Sequence, residues 1–129
     1  MSTFNSIDDI QKLPSVLEVE KVSAYLVLLV TILNRDRIDS LKGAEAINDL
    51  ISLQSHNESG LSVDASEYVL GWIKENYDSD NQHLVSYQAA NLANLTCIEA
   101  ESYLELLIEK ATSGKEREEL KGALSEIDI

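Results

Sequence analysis

Hydrophobic residues recur at helical spacing along almost the whole chain. After Asn5 or Ser6 as a cap, Ile7 and Ile10 mark the inner side of a short helix reaching about Leu13. Pro14 suits the first turn of a second helix over residues 15–33, where its missing N–H costs nothing. That helix has apolar residues at Val16, Val19 (or Leu17), Val22, Leu26, Leu29, Val30 and Leu33. Its C-terminal half is apolar on nearly every face, which predicts a place at the centre of the fold. A polar break at residues 34–37 leads to a third helix over about 38–53, with a stripe of Ile38, Leu41, Ile47, Leu50 and Ile51.

The polar stretch 54–62 contains Gly60 and reads as the longest loop. Ser62 or Asp64 then caps a fourth helix to about Asn76, with Ala65, Val69, Trp72 and Ile73 inward and Tyr68 open between core and surface. Gly71 inside it costs about 1 kcal/mol against Ala, so the sequence predicts a close helix crossing there. A fifth helix over about 81–95 carries Leu84, Val85, Gln88, Leu92 and Leu95. Thr96 with Glu99, and Ser113 with Glu116, have capping-box spacing. They open a sixth helix to about Ala111 and a seventh to about Ile127. No stretch sustains period-two alternation. The expectation is an all-α fold, a compact multi-helix bundle of about six to eight antiparallel-packed helices, forming one domain over residues 1–129. The tetrapeptide Leu-Lys-Gly-Ala occurs at 41–44 and 120–123, but its flanks do not align and it is not a repeat.

Composition adds limits. At 129 residues, 44% hydrophobic and 26% charged, the chain has the make-up of a soluble globular domain. The apolar run 24–33 is half the roughly 20 residues that a bilayer span needs. The N-terminus has no basic and apolar signal-peptide pattern, and there is a single cysteine, so a cytoplasmic location is expected. Ten cations stand against 23 carboxylates, for a net charge of −13. Phosphate backbones and anionic lipid surfaces both require Lys and Arg, so no nucleic-acid and no membrane partner is expected.

The acidity is uneven. Residues 43–109 hold twelve carboxylates and one cation, Lys74. One concentration is Glu58, Asp64, Glu67, Glu75, Asp78 and Asp80, interleaved with Tyr68, Trp72 and Tyr77. A second is the i, i+4, i+8 ladder Glu101, Glu105 and Glu109, where like charges cost a few tenths of a kcal/mol per pair. Tyr and Trp are frequent interface anchors, which singles out Asp64, Glu67, Tyr68, Glu75, Tyr77, Asp78 and Asp80 as the partner-binding surface. Tyr77, at a helix end between Asn76 and Asp78, is expected to be exposed. The Glu101–Glu105–Glu109 ladder is a secondary acidic ridge.

Reactive chemistry is sparse. Cys97, in the first turn of the sixth helix, would have its thiol pKa lowered somewhat by the helix dipole. Its only possible imidazole partners are His56 and His83. Without a further motif, Cys97 reads as a small buried apolar residue. The stretch Asp78-Ser79-Asp80-Asn81-Gln82 opens like a calcium loop. Its sixth position is His83 instead of Gly, and its twelfth is Ala89 instead of Glu. No phosphate loop, nucleophile elbow or zinc-binding His motif is present. No catalytic residues, no metal and no cofactor are expected, and the chain reads as a non-enzyme.

In size, in the acidic block 43–109 and in the carboxylate-plus-Tyr cluster 64–80, the chain resembles small acidic all-helical immunity proteins of bacterial toxin systems, including those of contact-dependent growth inhibition. The resemblance is one of type and rests on no diagnostic motif. It implies a tight complex with a co-encoded basic toxin, commonly a nuclease such as an RNase, whose cationic cleft the immunity protein covers. The alternative that the residues leave open is an acidic helical adaptor with a non-toxin partner.

Overall fold

In the computed structural model, residues 6–14, 16–54 and 60–127 are described. His56, Glu58 and the candidate cap Asn5 lie outside them. A 3-10 helix, Ile7–Lys12, is followed by six α-helices: α1 Val19–Arg35, α2 Ser40–Ile51, α3 Val63–Glu75, α4 Gln82–Ala93, α5 Ile98–Lys110 and α6 Gly114–Ile127. There is no strand among the described residues. The fold is all-α, as expected, and its buried apolar side chains form one cluster running from Ile10 to Ala123.

The helix starts show which local signals prevailed. Asp39, Ser62 and Asn81 each accept a backbone N–H with their side chains, from Lys42, Ala65 and Leu84 respectively. Ser113 likewise accepts the N–H of Glu116 at 3.1 Å. Two expected starts are corrected. The second predicted helix begins at Val19, well after Pro14, because Leu17 is held extended. Its N–H donates to the Leu53 carbonyl at 2.7 Å, in an isolated bridge beside Gln54. The Thr96–Glu99 box does not form either. The Thr96 N–H goes to Ser66 Oγ at 3.0 Å and its hydroxyl to the Leu61 carbonyl at 2.8 Å, so Cys97 takes the cap position with no side-chain bond.

Between α1 and α2 the chain reverses through Arg37, whose φ of 51° is left-handed. The Ile38 N–H returns to the Leu33 carbonyl at 3.0 Å, the Schellman closure. The close crossing expected at Gly71 lies instead at Gly43. A Cβ there would stand 2.5 Å from Trp72 Cζ2 and 3.3 Å from Leu33 Cδ1, whereas a Cβ on Gly71 would meet nothing within 4 Å. This contact brings the C-terminal half of α1 to that of α3. At the other end, Ser23 Oγ accepts the Ser62 N–H at 3.0 Å. Helices α1 and α3 therefore run side by side in the same direction.

The expected burial of α1 holds on its inner side, where it carries more buried residues than any other helix, while Ala24, Leu28 and Thr31 stay in solvent. Helix α4 has α2 packed on one side and α5 and α6 against the rest. It carries two fully buried amides, Gln88 and Asn91. Asn91 donates to the Ala44 carbonyl at 3.0 Å, and Gln88 donates to the Asn76 carbonyl at 3.3 Å. Each bond offsets the desolvation of an amide and ties α4 to a neighbouring segment.

Leu29 is wholly buried in α1. Leu29→Ala is expected to destabilise the protein by about 2–5 kcal/mol in urea unfolding. A change within about half a kcal/mol would show that this face does not pack. The two helical glycines should respond with opposite signs. Gly71→Ala is expected to add about 1 kcal/mol of stability. Gly43→Ala should remove about 1–3 kcal/mol, because the buried indole of Trp72 has no room to withdraw.

Candidate partner-binding surface

At 100° per residue, Asp64, Tyr68, Gly71 and Glu75 fall within one narrow sector of α3, with Glu67 at its edge. All five are exposed, and Tyr68 retains 55% of its surface. Val69 and Ile73 occupy the opposite sector and are fully buried, which fixes the rotation of the helix. Asp64, Glu67 and Tyr68 line one shallow concavity. Four of the seven residues expected at the partner surface thus share one helix face, and three of those share one hollow. The sequence left Tyr68 between core and surface, and the structure places it outside.

The loop after α3 divides the remaining three. Asp78 and Asp80 are exposed, and Asp78 Oδ1 accepts the Asp80 N–H at 2.9 Å in a tight Asx turn. Tyr77 turns the other way, so the expectation that it is exposed is corrected. It is half-buried, and its hydroxyl donates to Glu116 Oε2. Glu116 is only 1% exposed, at the start of α6. Its other oxygen accepts the Thr112 N–H at 2.9 Å and the Thr112 hydroxyl at 3.3 Å. The capping box is therefore half-made. Ser113 caps Glu116, but the Glu116 carboxylate turns to Thr112 and Tyr77. Burial, and then the adjacent Glu116, push the Tyr77 phenol well above its ordinary value of 10.0. Sequence reasoning missed Glu116 as a structural anchor, because a Glu three residues after a Ser looks like an ordinary cap.

On α5, Glu105 and Glu109 are exposed and Glu101 is half-buried. The single cation of the acidic block, Lys74, lies 5.5 Å from the centre of the Tyr103 ring. A cation over an aromatic face at an exposed site contributes about 0.5–1 kcal/mol. The contact draws Lys74 towards α5. The ion pairs Lys12–Asp9 and Arg35–Asp36 both lie outside the block. A further acidic pair, Glu45 and Asp49, stands at i, i+4 on α2. Partial burial, with the charge of Glu45 added, raises the Asp49 pKa.

Cys97 is buried in the core cluster. Its thiol pKa is raised, chiefly by burial, and the charges of Glu99 and Glu67 push the same way. The expected lowering by the helix dipole is overcome, although a backbone bond to Ala100 does favour the thiolate. His83 is exposed on α4. Among the described residues no group of three or more His, Cys, Asp or Glu is placed to hold a metal ion, and no helix is long and apolar enough to cross a membrane. No protein-family model matches the chain, and no curated protein or solved structure matches it either.

Tyr77→Phe removes one donor from a buried carboxylate, and is expected to cost about 1–3 kcal/mol at neutral pH. The folded phenol pKa is raised above its unfolded value. Its contribution is therefore whole below about pH 10 and is lost as pH climbs beyond it. Urea unfolding of wild type and variant should show the gap at pH 7 and its narrowing in strong alkali. Equal stability at pH 7 would remove Tyr77 from the structural role assigned to it.

Proposed function

We propose that this protein is a non-catalytic binding protein that captures a basic protein partner on its acidic, Tyr-bearing α3 face. In its specific form, the partner is a co-encoded nuclease toxin, and the chain is the immunity protein that covers the toxin's cationic cleft. The observation that carries the reading is the shared exposure of Asp64, Glu67, Tyr68 and Glu75 on one helix face, the first three around one hollow. Asp78 and Asp80 extend the negative surface into the following loop.

The physics of such capture follows from the charges. A nuclease concentrates Lys and Arg around its cleft to hold a polyanion. Carboxylates on a rigid helix can stand where phosphates would. Long-range attraction speeds encounter, while desolvated carboxylate–Arg pairs slow escape. Tyr68 adds apolar area and a hydroxyl at the centre of the charged face, at little entropic cost. The Glu101–Glu105–Glu109 ridge has no comparable aromatic side chain on its outer face and serves as a solvated flank.

Charge reversal of Asp64, Glu67 and Glu75 together tests the reading against the product of the adjacent gene. The three side chains are exposed, so folding should persist. Association is expected to slow by about tenfold or more at low salt and by much less at high salt. Growth arrest caused by that product should be relieved by the wild-type chain and not by the variant. An unchanged association rate at low salt would move the interface elsewhere. An adjacent product that is neither basic nor toxic would favour the adaptor reading.

A further inference from the structure

Helix α1 is unusual in having no charged residue from position 22 to position 34. Its inner side, Val22, Leu26, Leu29 and Leu33, is almost wholly buried. An ordinary surface helix is polar on the other side. Here the other side is Ala24 and Thr31, both exposed, with Leu28 at 42% exposure and Val27 partly buried. The fold uses only part of the apolar surface that α1 carries.

That uncharged stripe lies beside the acidic α3 face. Ala24 and Val27 line a groove of about 400 Å³ together with Asp64 and Ala65 of α3, and Glu20 stands at its α1 end. Asp64 also belongs to the hollow with Glu67 and Tyr68, so the apolar and acidic surfaces meet along one line. The nearby cations are few. Lys21 sits one residue from Glu20, and Arg35 at the far end of α1 is paired with Asp36 at 2.8 Å.

We infer that the groove between α1 and α3 seats an amphipathic helix of the basic partner, its apolar residues on Ala24 and Val27 and its Lys or Arg residues against Glu20, Asp64 and Glu67. This rests on the reading of the chain as a binder of a basic protein, and it adds which part of that protein enters. Two side-by-side parallel helices offer a furrow into which a third packs by ridges into grooves. Ala24 and Val27, one turn apart on α1, form an apolar wall on which the i, i+4 anchors of such a helix can rest. Charge selects the occupant. A second copy of this chain would bring its own −13 to the acidic rim, and an anionic lipid surface would be repelled in the same way.

Two synthetic peptides of identical composition test the inference by calorimetric titration of the full chain. One places Leu on one helical face with Lys and Arg flanking it, and the other has the same residues scrambled. The amphipathic peptide is expected to bind about tenfold more tightly. Ala24→Gln, which puts a bulky polar side chain into the groove at an exposed position, should remove most of that advantage while leaving the scrambled peptide unaffected. Ile98→Asn, at an 80% exposed residue on α5, should alter neither. Melting temperatures of the variants check that each is folded. Equal, salt-sensitive binding of both peptides would overturn the groove and leave the acidic-surface reading standing. Binding of neither would defeat both. Self-association in sedimentation that is lost in Ala24→Gln would also overturn the inference, since the face would then be a dimer interface.

Discussion

The indole of Trp72 against the bare Cα of Gly43 is the contact that orders the first half of the molecule. A large aromatic side chain can come this close to a helix backbone only where no Cβ intervenes, and Leu33 of α1 reaches the same point. Three helices therefore meet at one glycine. At the far end, the Ser23 hydroxyl holds the backbone of Ser62, so α1 and α3 are fixed at both ends and in one direction. Neither helix can rotate without leaving that contact or exposing Val69 and Ile73. The outward faces of both follow: an uncharged one on α1 and an acidic one on α3.

Periodicity made much of this legible. The helical stripes placed every α-helix to within a few residues of its position, and the Ser113 cap, and Ser62 as one of two candidates with Asp64, were readable from residue type. Long-range contacts explain what was not. Thr96 has good capping spacing, but Ser66 and Leu61 compete for its polar atoms. Leu17 has the apolar character of a helical residue, but the backbone of Leu53 holds it extended. Gly43 and Gly71 are indistinguishable by sequence, since both cost a helix the same propensity. Only the position of Trp72 separates the one that must be glycine from the one that need not be. The all-round apolar character of α1 matches its many buried residues, yet it also leaves Ala24 and Leu28 on an outer face that the fold does not cover. Gln88 and Asn91, by contrast, mark the burial of α4 through polar side chains that periodicity discounts.

The candidate surface was partly legible for similar reasons. Exposure of Asp64, Glu67 and Glu75 follows from their place opposite Val69 and Ile73. Tyr77 was misread because its partner, Glu116, lies 39 residues away on α6 and reveals itself only when α6 folds back. That pair takes an aromatic from the proposed interface and commits it to the fold. Tyr68 is left as the aromatic side chain on the α3 face, next to the uncharged stripe of α1. In the proposed complex, charge asymmetry would supply the attraction, and the neighbouring apolar strip would supply surface that a partner can dehydrate.

Backbone amide shifts of the labelled chain, followed while the proposed basic partner is added, test the central claim most directly. If the α1–α3 face receives that partner, the largest shifts fall on residues 24–31 and 64–75, and those of α5 and α6 stay near their free positions. Shifts concentrated on Glu101, Glu105 and Glu109, or in the groove that Ser86, Ala89 and Ala90 of α4 line with Glu118, Glu119 and Gly122 of α6, would contradict the account.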